Sequence, residues 1–247
     1  EDKTKEANVL NRMGETKRQM DQYEDALKYL QASLKIHQIL GDTNAMGSGY
    51  ISIGIFYAVR GERHEAENYF LQAIESFKAI GNQPREYLTM LNMAGLYNEM
   101  GEHEKSVKFS NEARDYFMEH GPEIRLGVVY FNLGVAYVGL NELDKSKQQF
   151  LNSIEIFEKL GDKIRVNGTM LRLAEIDLKL GNTAQALARA EKALESFREL
   201  ETRGRIARTY FVISEIHTVR RDFEKALEFR VLYEEMQDSL NGEETKS

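Results

Sequence analysis

Glycine recurs in this chain at intervals of twenty residues. The series runs Gly41, Gly61, Gly81, Gly101, Gly121, Gly161 and Gly181, and Asn141 fills its one gap. Glycine commonly follows the last turn of a helix because, without a Cβ, it enters the left-handed conformation at no steric cost. Stops at this interval predict a series of helices of nearly equal length, each of roughly 15–18 residues.

The sequence also repeats in units of forty residues. The units are 1–40, 41–80, 81–120, 121–160, 161–200 and 201–240, and they align without an insertion. One aligned column holds only small residues, namely Gly14, Gly54, Ala94, Gly134, Ala174 and Ser214. Small residues on a helix face let a neighbouring helix approach closely. Because one helix pair cannot bury its apolar face alone, we expect the pairs to stack into a single array over residues 1–240, with 241–247 as a tail or the start of a linker.

A polar residue that can cap a helix follows several of the glycine stops or their equivalents. We predict that it caps the first helix of its unit at Asp42, Asn82, Asp162 and Thr202. One small column of the second helix contains Ser33, Ala73, Ala113, Ser153 and Ala193, and one column of the first helix contains Tyr57, Tyr97 and Tyr137. Their helical spacing predicts that these residues pack in the core.

The pattern resembles the tetratricopeptide repeat, in a forty-residue variant with extended second helices. The second unit matches the family motif best, with Tyr50, Ile53, Gly54, Tyr57, Ala66, Phe70 and Ala73. The resemblance implies an all-α fold, a right-handed superhelical solenoid of six antiparallel helix pairs. It also implies a module that binds other proteins, because peptide segments or helices lie on the concave surface of such arrays.

The resemblance places the first helix of each pair on that concave surface. The residues that we predict to line a groove there are Ile51, Ile55, Leu91, Asn92, Phe131, Asn132 and Val135. The apolar members favour an apolar or amphipathic partner segment, and an asparagine amide offers a donor and an acceptor to an extended backbone. The alternative interpretation is ordinary packing between neighbouring repeats, tightened by superhelical curvature.

Arginine occupies one position in four of the first helices, at Arg85, Arg125, Arg165 and Arg205. One interpretation is a track for an anionic partner. The interpretation that we favour from the sequence is salt bridging to acidic residues of neighbouring repeats, or a solvated edge near the helix start, because acidic residues are abundant and exposed ion pairs are common.

The composition argues against several other functions. The chain has no cysteine, a net charge of −7 and charges of both signs throughout, without a basic block for nucleic acid or a basic amphipathic helix for a membrane surface. No two of the five histidines have the spacing of a helical metal pair, and no phosphate-binding loop or nucleophile motif occurs. We therefore predict no catalysis, no cofactor and no metal.

The C-terminal end, from Tyr233 to Glu244, resembles the exit of tetratricopeptide sensor regions in bacterial signalling proteins. In those proteins a similar stretch leads to a coiled coil or membrane helix and then to an output domain. The resemblance implies the sensory or regulatory region of a bacterial signal-transduction protein. The alternative is a stand-alone cytoplasmic scaffold or adaptor, so that the compartment is either extracytoplasmic, on a membrane-anchored protein, or cytoplasmic.

The sixth unit departs from the motif, as terminal repeats do when one side faces solvent. We expect an exposed apolar side at Phe211, Phe229 and Tyr233, and through it a homodimer formed end to end.

Overall fold

The structure, a computed structural model, describes residues 2–244, with side chains to residue 240. This part of the chain forms twelve α-helices and contains no β-strand. The helices are α1 Asp2–Gln19, α2 Tyr23–Leu40, α3 Thr43–Val59, α4 Arg63–Ala79, α5 Gln83–Met100, α6 His103–His120, α7 Glu123–Gly139, α8 Leu143–Lys159, α9 Lys163–Lys179, α10 Thr183–Glu199, α11 Arg203–Val219 and α12 Phe223–Glu244. The predicted all-α fold of six helix pairs is confirmed.

The chain divides into two compact units, each larger than a forty-residue repeat, of which the first ends at Arg125 and the second begins at Leu126. The names first unit and second unit are used below for these two parts, and the forty-residue segments are called repeats. The first unit contains α1 to α6 and the first turn of α7, and the second contains the rest of α7 and α8 to α12. The single array over residues 1–240 remains a prediction. Helix α12 has 22 residues and continues through residue 244, whereas residues 245–247 of the predicted tail lie outside the described part of the chain.

Left-handed turns separate the helices at the predicted interval. Positive φ angles occur at Asp21, Gly41, Gly61, Gly81, Gly101, Asn141, Gly161, Gly181, Glu201 and Arg221. The interval therefore continues at three charged residues that the glycine series did not mark. Gly121 differs, with φ −113° and ψ 162°, because the next residue is Pro122 and its ring disfavours the helical conformation in the residue before it. The prediction of a left-handed stop at Gly121 was wrong for this reason.

The small columns allow the two helices of a pair to touch. A Cβ built on Gly54 would lie 2.7 Å from Cδ1 of Phe70, and one on Gly134 would lie 2.5 Å from Cδ1 of Phe150. These distances are shorter than van der Waals contact, so only a residue without a side chain fits beside the phenylalanine. The close approach that the sequence predicted at these positions is confirmed.

Serines in the small columns of the second helices also bond to the first helices. The Ser153 hydroxyl donates to the Gly127 carbonyl at 2.9 Å, and the Ser33 hydroxyl donates to the Ala7 carbonyl at 2.7 Å. Both serines are buried. Each bond satisfies a hydroxyl that would otherwise lose its water without a replacement partner.

Three of the four predicted caps form. Asp42 accepts from the Ala45 N–H at 2.9 Å, Asp162 from the Arg165 N–H at 3.0 Å, and Asn82 from the Arg85 N–H at 3.4 Å. Thr202 makes no cap bond; its hydroxyl donates to the Phe197 carbonyl at 3.3 Å. The prediction for Thr202 was wrong because this side chain satisfies a carbonyl at the end of α10.

Candidate functional site

The predicted groove residues of the first unit lie on α3 and α5. Ile51 and Ile55 are half-buried and pack against a core cluster that contains Phe70 and Met93. Asn92 is also half-buried, whereas Leu91 is 3% exposed. In this unit, therefore, Ile51, Ile55 and Asn92 present surface, and Leu91 presents almost none.

The predicted groove residues of the second unit lie on α7. Phe131 and Val135 are half-buried and pack against a core cluster that contains Phe150, with the rings of Phe131 and Phe150 5.7 Å apart. Asn132 is 8% exposed. A groove that joins the residues of both units remains a prediction.

The second unit also contains a pocket of about 280 Å³ among helices α7 to α11. Its walls combine phenylalanine and leucine with four arginines and one glutamate. The lining residues are Val128, Phe131, Phe157, Arg165, Gly168, Thr169, Leu171, Arg172, Glu175, Phe197, Arg205 and Arg208. Phe131 belongs both to the predicted groove and to this pocket, so the pocket extends the predicted face in this unit.

Glu175 holds two of the four arginines. Nη1 of Arg172, on the same helix, lies 3.1 Å from Oε2 of Glu175, and Nη2 of Arg208, on α11, donates to Oε1. The bridge fixes α11 against α9 on one side of the pocket, and it uses both oxygens of the carboxylate.

The other two arginines lie over phenylalanine rings. The guanidinium of Arg165 is 5.6 Å from the ring centre of Phe157, and that of Arg205 is 5.7 Å from the ring centre of Phe197. A Cβ on Gly168 would lie 2.9 Å from Nη1 of Arg205, so this glycine makes room for the guanidinium. Within the described residues, the Arg205 guanidinium has no ion pair within 4.0 Å.

Asp162 stands beside these two arginines. Burial alone would raise the pKa of Asp162, but hydrogen bonds from the Arg165 backbone N–H and guanidinium, with the charges of Arg165 and Arg205, hold this pKa below its usual range. The carboxylate is thus ionised and forms an ion pair with Arg165, at the start of the same helix.

The arginines whose contacts are defined are exposed near the starts of their helices, which agrees with a solvated edge there, whereas none of these three arginines forms an ion pair with a neighbouring repeat. Arg165 pairs with Asp162 of its own helix start, and Arg205 lies over a ring. In the first unit, the guanidinium of Arg85 lies 5.9 Å from the ring centre of Phe77 and donates to the Ser48 hydroxyl at 3.0 Å. The column places a cation over an aromatic ring in repeat after repeat because the phenylalanine column lies directly under it.

The first unit has a more polar pocket of about 410 Å³. Arg12, His37, Asn44 and Arg85 are among its lining residues. His37 is buried, and its Nδ1 has no hydrogen-bond partner within the described residues.

Residues 2–244 contain no candidate metal site, because no three described His, Asp or Glu side chains in this range gather in a way that could hold a metal ion. None of the helices in the same range is long and apolar enough to cross a membrane.

The family follows from a direct sequence match. The model for the tetratricopeptide repeat matches residues 5–79 and 86–159, together more than half of the chain. The chain belongs to the tetratricopeptide repeat family. The resemblance stated from the second repeat is confirmed. Repeats of this family are in general scaffolds for protein interaction.

Solved structures show the same fold at low sequence identity. A signal transduction ATPase with a tetratricopeptide repeat sensor, from Pyrococcus horikoshii, aligns with a TM-score of 0.78 at 17% identity, over 100% of this chain and 39% of that one. A Rap protein complexed with competence and sporulation factor aligns with a TM-score of 0.73 at 14% identity, over 96% and 76%. BtubC from P. vanneervenii aligns with a TM-score of 0.69 at 17% identity, over 92% of each chain. No curated protein matches this sequence.

Proposed function

We propose that this chain is a peptide- or protein-binding module without catalytic activity, and that it binds through the faces of its first helices. The observation that carries the proposal is the row of half-buried side chains on these helices: Ile51, Ile55 and Asn92 in the first unit, Phe131 and Val135 in the second. Leu91 and Asn132, the other two predicted groove residues, are buried. Half-buried apolar side chains in a family of interaction scaffolds favour an apolar or amphipathic partner segment.

We propose further that the module is the sensory or regulatory region of a bacterial signal-transduction protein. Its C-terminal sequence supports this, and so does the likeness of its fold to a tetratricopeptide repeat sensor. The alternative is a stand-alone scaffold or adaptor. Sequencing the gene on both sides of the region distinguishes the two: a downstream output domain supports the sensor, and a stop codon directly after Ser247 supports the scaffold.

The binding face can be tested with substitutions that the repeat itself tolerates. The aligned column that contains Ile55 and Val135 holds glutamate in three other repeats, at Glu15, Glu175 and Glu215. Ile55→Glu and Val135→Glu therefore change the face without introducing a residue foreign to that position. Leu71→Glu and Leu151→Glu are matched controls, because these leucines are exposed on second helices and Glu191 stands in their column.

The experiment selects peptides from a displayed random library against the unaltered protein. The affinity of the best peptide is then measured for the four variants by fluorescence anisotropy, after circular dichroism confirms that each is folded. We expect one or both face variants to weaken binding by at least about tenfold, and the controls by less than about twofold. Equal loss in face variants and controls would refute the proposed face.

We also propose a homodimer through the terminal repeat, at a different surface from the predicted one. Phe211, Phe229 and Tyr233 are half-buried and pack against the core of their own unit. Apolar residues that are exposed there lie four residues apart on α12, at Phe223, Leu227 and Val231. A stripe of this kind suits a self-complementary contact between two copies. Sedimentation equilibrium should show a dimer that Leu227→Glu dissociates and Leu151→Glu does not; a monomer at all concentrations would contradict it.

A further inference from the structure

We infer that the polar pocket of the first unit binds the phosphate group of a small, non-peptide ligand. The inference goes beyond the proposed function, because this pocket contains none of the residues proposed for the peptide-binding face. It follows from a paired change in the repeat pattern, from a buried imidazole nitrogen without a partner and from the charges of the pocket walls.

The first repeat departs from the others at two positions that line this pocket. Repeats 2 to 5 carry a buried phenylalanine where the first repeat carries His37. Over three of these rings lies an arginine of the following repeat, as Arg85 lies over Phe77. The residue that corresponds to this arginine for His37 is Ala45. The ring and the cation are thus changed together, and both replacements line the pocket.

The imidazole of His37 is the feature that points to a ligand. His37 is 4% exposed, and its Nδ1 forms no hydrogen bond with any described residue. A buried polar nitrogen without a partner costs free energy, which the phenylalanine of the other repeats avoids. A ligand that accepts a hydrogen bond from Nδ1 would remove this cost.

The charged side chains of the pocket suit a phosphate dianion. Arg12 and Arg85 line the pocket, and no carboxylate is among its described lining residues. The Arg85 guanidinium donates to the Ser48 hydroxyl at 3.0 Å and lies over the Phe77 ring, and these two neutral groups hold it without neutralising it. A phosphate monoester carries a charge of about −1.5 to −2 at pH 7, so it balances two guanidiniums, whereas a single carboxylate balances one.

The donors of the pocket come from three different helices. Arg12 belongs to α1, His37 to α2 and Arg85 to α5. The oxygens of a phosphate group accept hydrogen bonds from several directions, and a guanidinium can bond two of them at once. Asn8 and Asn11 add amides that can bond hydroxyl groups of the ligand. The volume of about 410 Å³ lies in the range of about 300–1,000 Å³ that small ligands occupy.

Two sources can supply the phosphate, the free inorganic ion or a phosphate ester of a small hydroxylated compound. Inorganic phosphate and glycerol 3-phosphate represent them, and acetate is the carboxylate control. Each probe is titrated into the full chain at constant pH and ionic strength, because exposed charges respond to salt. Binding is followed in ¹H–¹⁵N NMR spectra at the backbone amides of Ala45, Ser48 and Gly49 and at the imidazole nitrogens of His37.

We expect at least one phosphate probe to bind with a Kd of about 1 mM or lower, and acetate to bind at least about tenfold more weakly. Tighter binding of glycerol 3-phosphate identifies an ester as the ligand, and equal or tighter binding of inorganic phosphate identifies the free ion. Acetate binding as strong as that of the phosphate probes, or no saturation by either phosphate probe up to about 50 mM, would overturn the inference.

His37→Phe supplies the second test, because it introduces the residue that repeats 2 to 5 carry at this position. The variant should fold, as circular dichroism can show, and it should bind the phosphate probe at least about tenfold more weakly at the Gly49 signal. Arg85→Gln should weaken binding to a similar extent. Arg125→Gln is the matched control, because Arg125 stands in the same column but does not line the pocket, and it should leave binding unchanged.

Unchanged binding in either His37→Phe or Arg85→Gln would contradict the assignment, as would an equal loss in Arg125→Gln. If the phosphate probes fail while the selected peptides still bind the first-helix faces, only this inference is refuted.

Discussion

Asp177 is the charged residue whose removal should cost this protein most. It occupies the position at which the first helices of repeats 2, 3 and 4 carry Tyr57, Tyr97 and Tyr137. Its side chain is 1% exposed. The Arg189 Nε donates to its Oδ2 at 2.7 Å, and the Lys147 Nζ lies 3.8 Å from its Oδ1. A buried carboxylate of this kind is stable only because both cations accompany it.

A comparison of repeats explains why this acid is tolerated. In the third repeat, the Tyr97 hydroxyl donates to Oε1 of Glu67, in the second repeat, at 2.7 Å. Burial, followed by this hydrogen bond and the Glu67 charge, raises the pKa of Tyr97. Eighty residues later, Asp177 replaces the tyrosine and Lys147 replaces the glutamate. The polarity of the pair is reversed, and the contact between the two helices is kept.

Asp177→Asn should therefore destabilise the protein by about 2–3 kcal/mol. Asparagine keeps the shape but removes the charge, so the Arg189 bond loses its anionic acceptor and both cations lose their counter-ion. The value lies below the largest costs of breaking buried pairs, because the Arg189 and Lys147 side chains are 18% and 35% exposed and can turn toward water.

The assay is urea unfolding followed by circular dichroism, with amide hydrogen exchange in α9 as a local readout. Glu155→Gln is the control: it neutralises a carboxylate whose ion pair with Lys159 is exposed, so its unfolding midpoint should stay close to that of the unaltered protein. The reasoning is refuted if Asp177→Asn costs no more than this control.

Three further predictions follow from local contacts. Ser153→Ala should cost about 1 kcal/mol in urea unfolding, because it removes the bond to the Gly127 carbonyl while alanine already fits this position at Ala193; an unchanged midpoint would contradict this. Glu201→Gly should stabilise by about 0.5–1 kcal/mol, because φ is 51° at this residue; a lower thermal midpoint would count against it. Asp162 has a lowered pKa, so its contribution to stability is present above the ordinary value of 3.8 and is lost as the pH falls through the folded-state pKa. Asp162→Asn keeps an N-cap residue and should show a smaller loss of stability in that acidic range, and an equal loss in both proteins would refute the assignment.

The helices and most turns could be predicted because their causes are local. Glycine at a left-handed φ and small residues beside Phe70 and Phe150 act within one or two helices, and a forty-residue column shows them directly. The errors were also local. Pro122 sets the conformation of Gly121, and the Thr202 hydroxyl has a carbonyl within reach that competes with the cap.

The pocket of the second unit could be predicted only in part. Phe131, Arg172 and Glu175 stand in columns that the sequence assigns to the face of the first helix, and Arg165 and Arg205 stand in the arginine column. No column shows that Glu175 engages Arg208 as well as Arg172, or that Arg205 lies over Phe197, because Arg208 and Glu175, like Arg205 and Phe197, lie on separate helices. The spacing of Arg165, Gly168, Arg172 and Glu175 along α9 was the available signal, since it places all four on one side of the helix.

The central claim is that ligands bind to the first helices of the repeats. The most direct measurement is amide hydrogen exchange of the full chain with and without the peptide selected from the library. We predict protection in α3 and α5 or in α7 and α9, with little change in α4, α8 and α10. Protection confined to the second helices, with none in the first, would contradict the account.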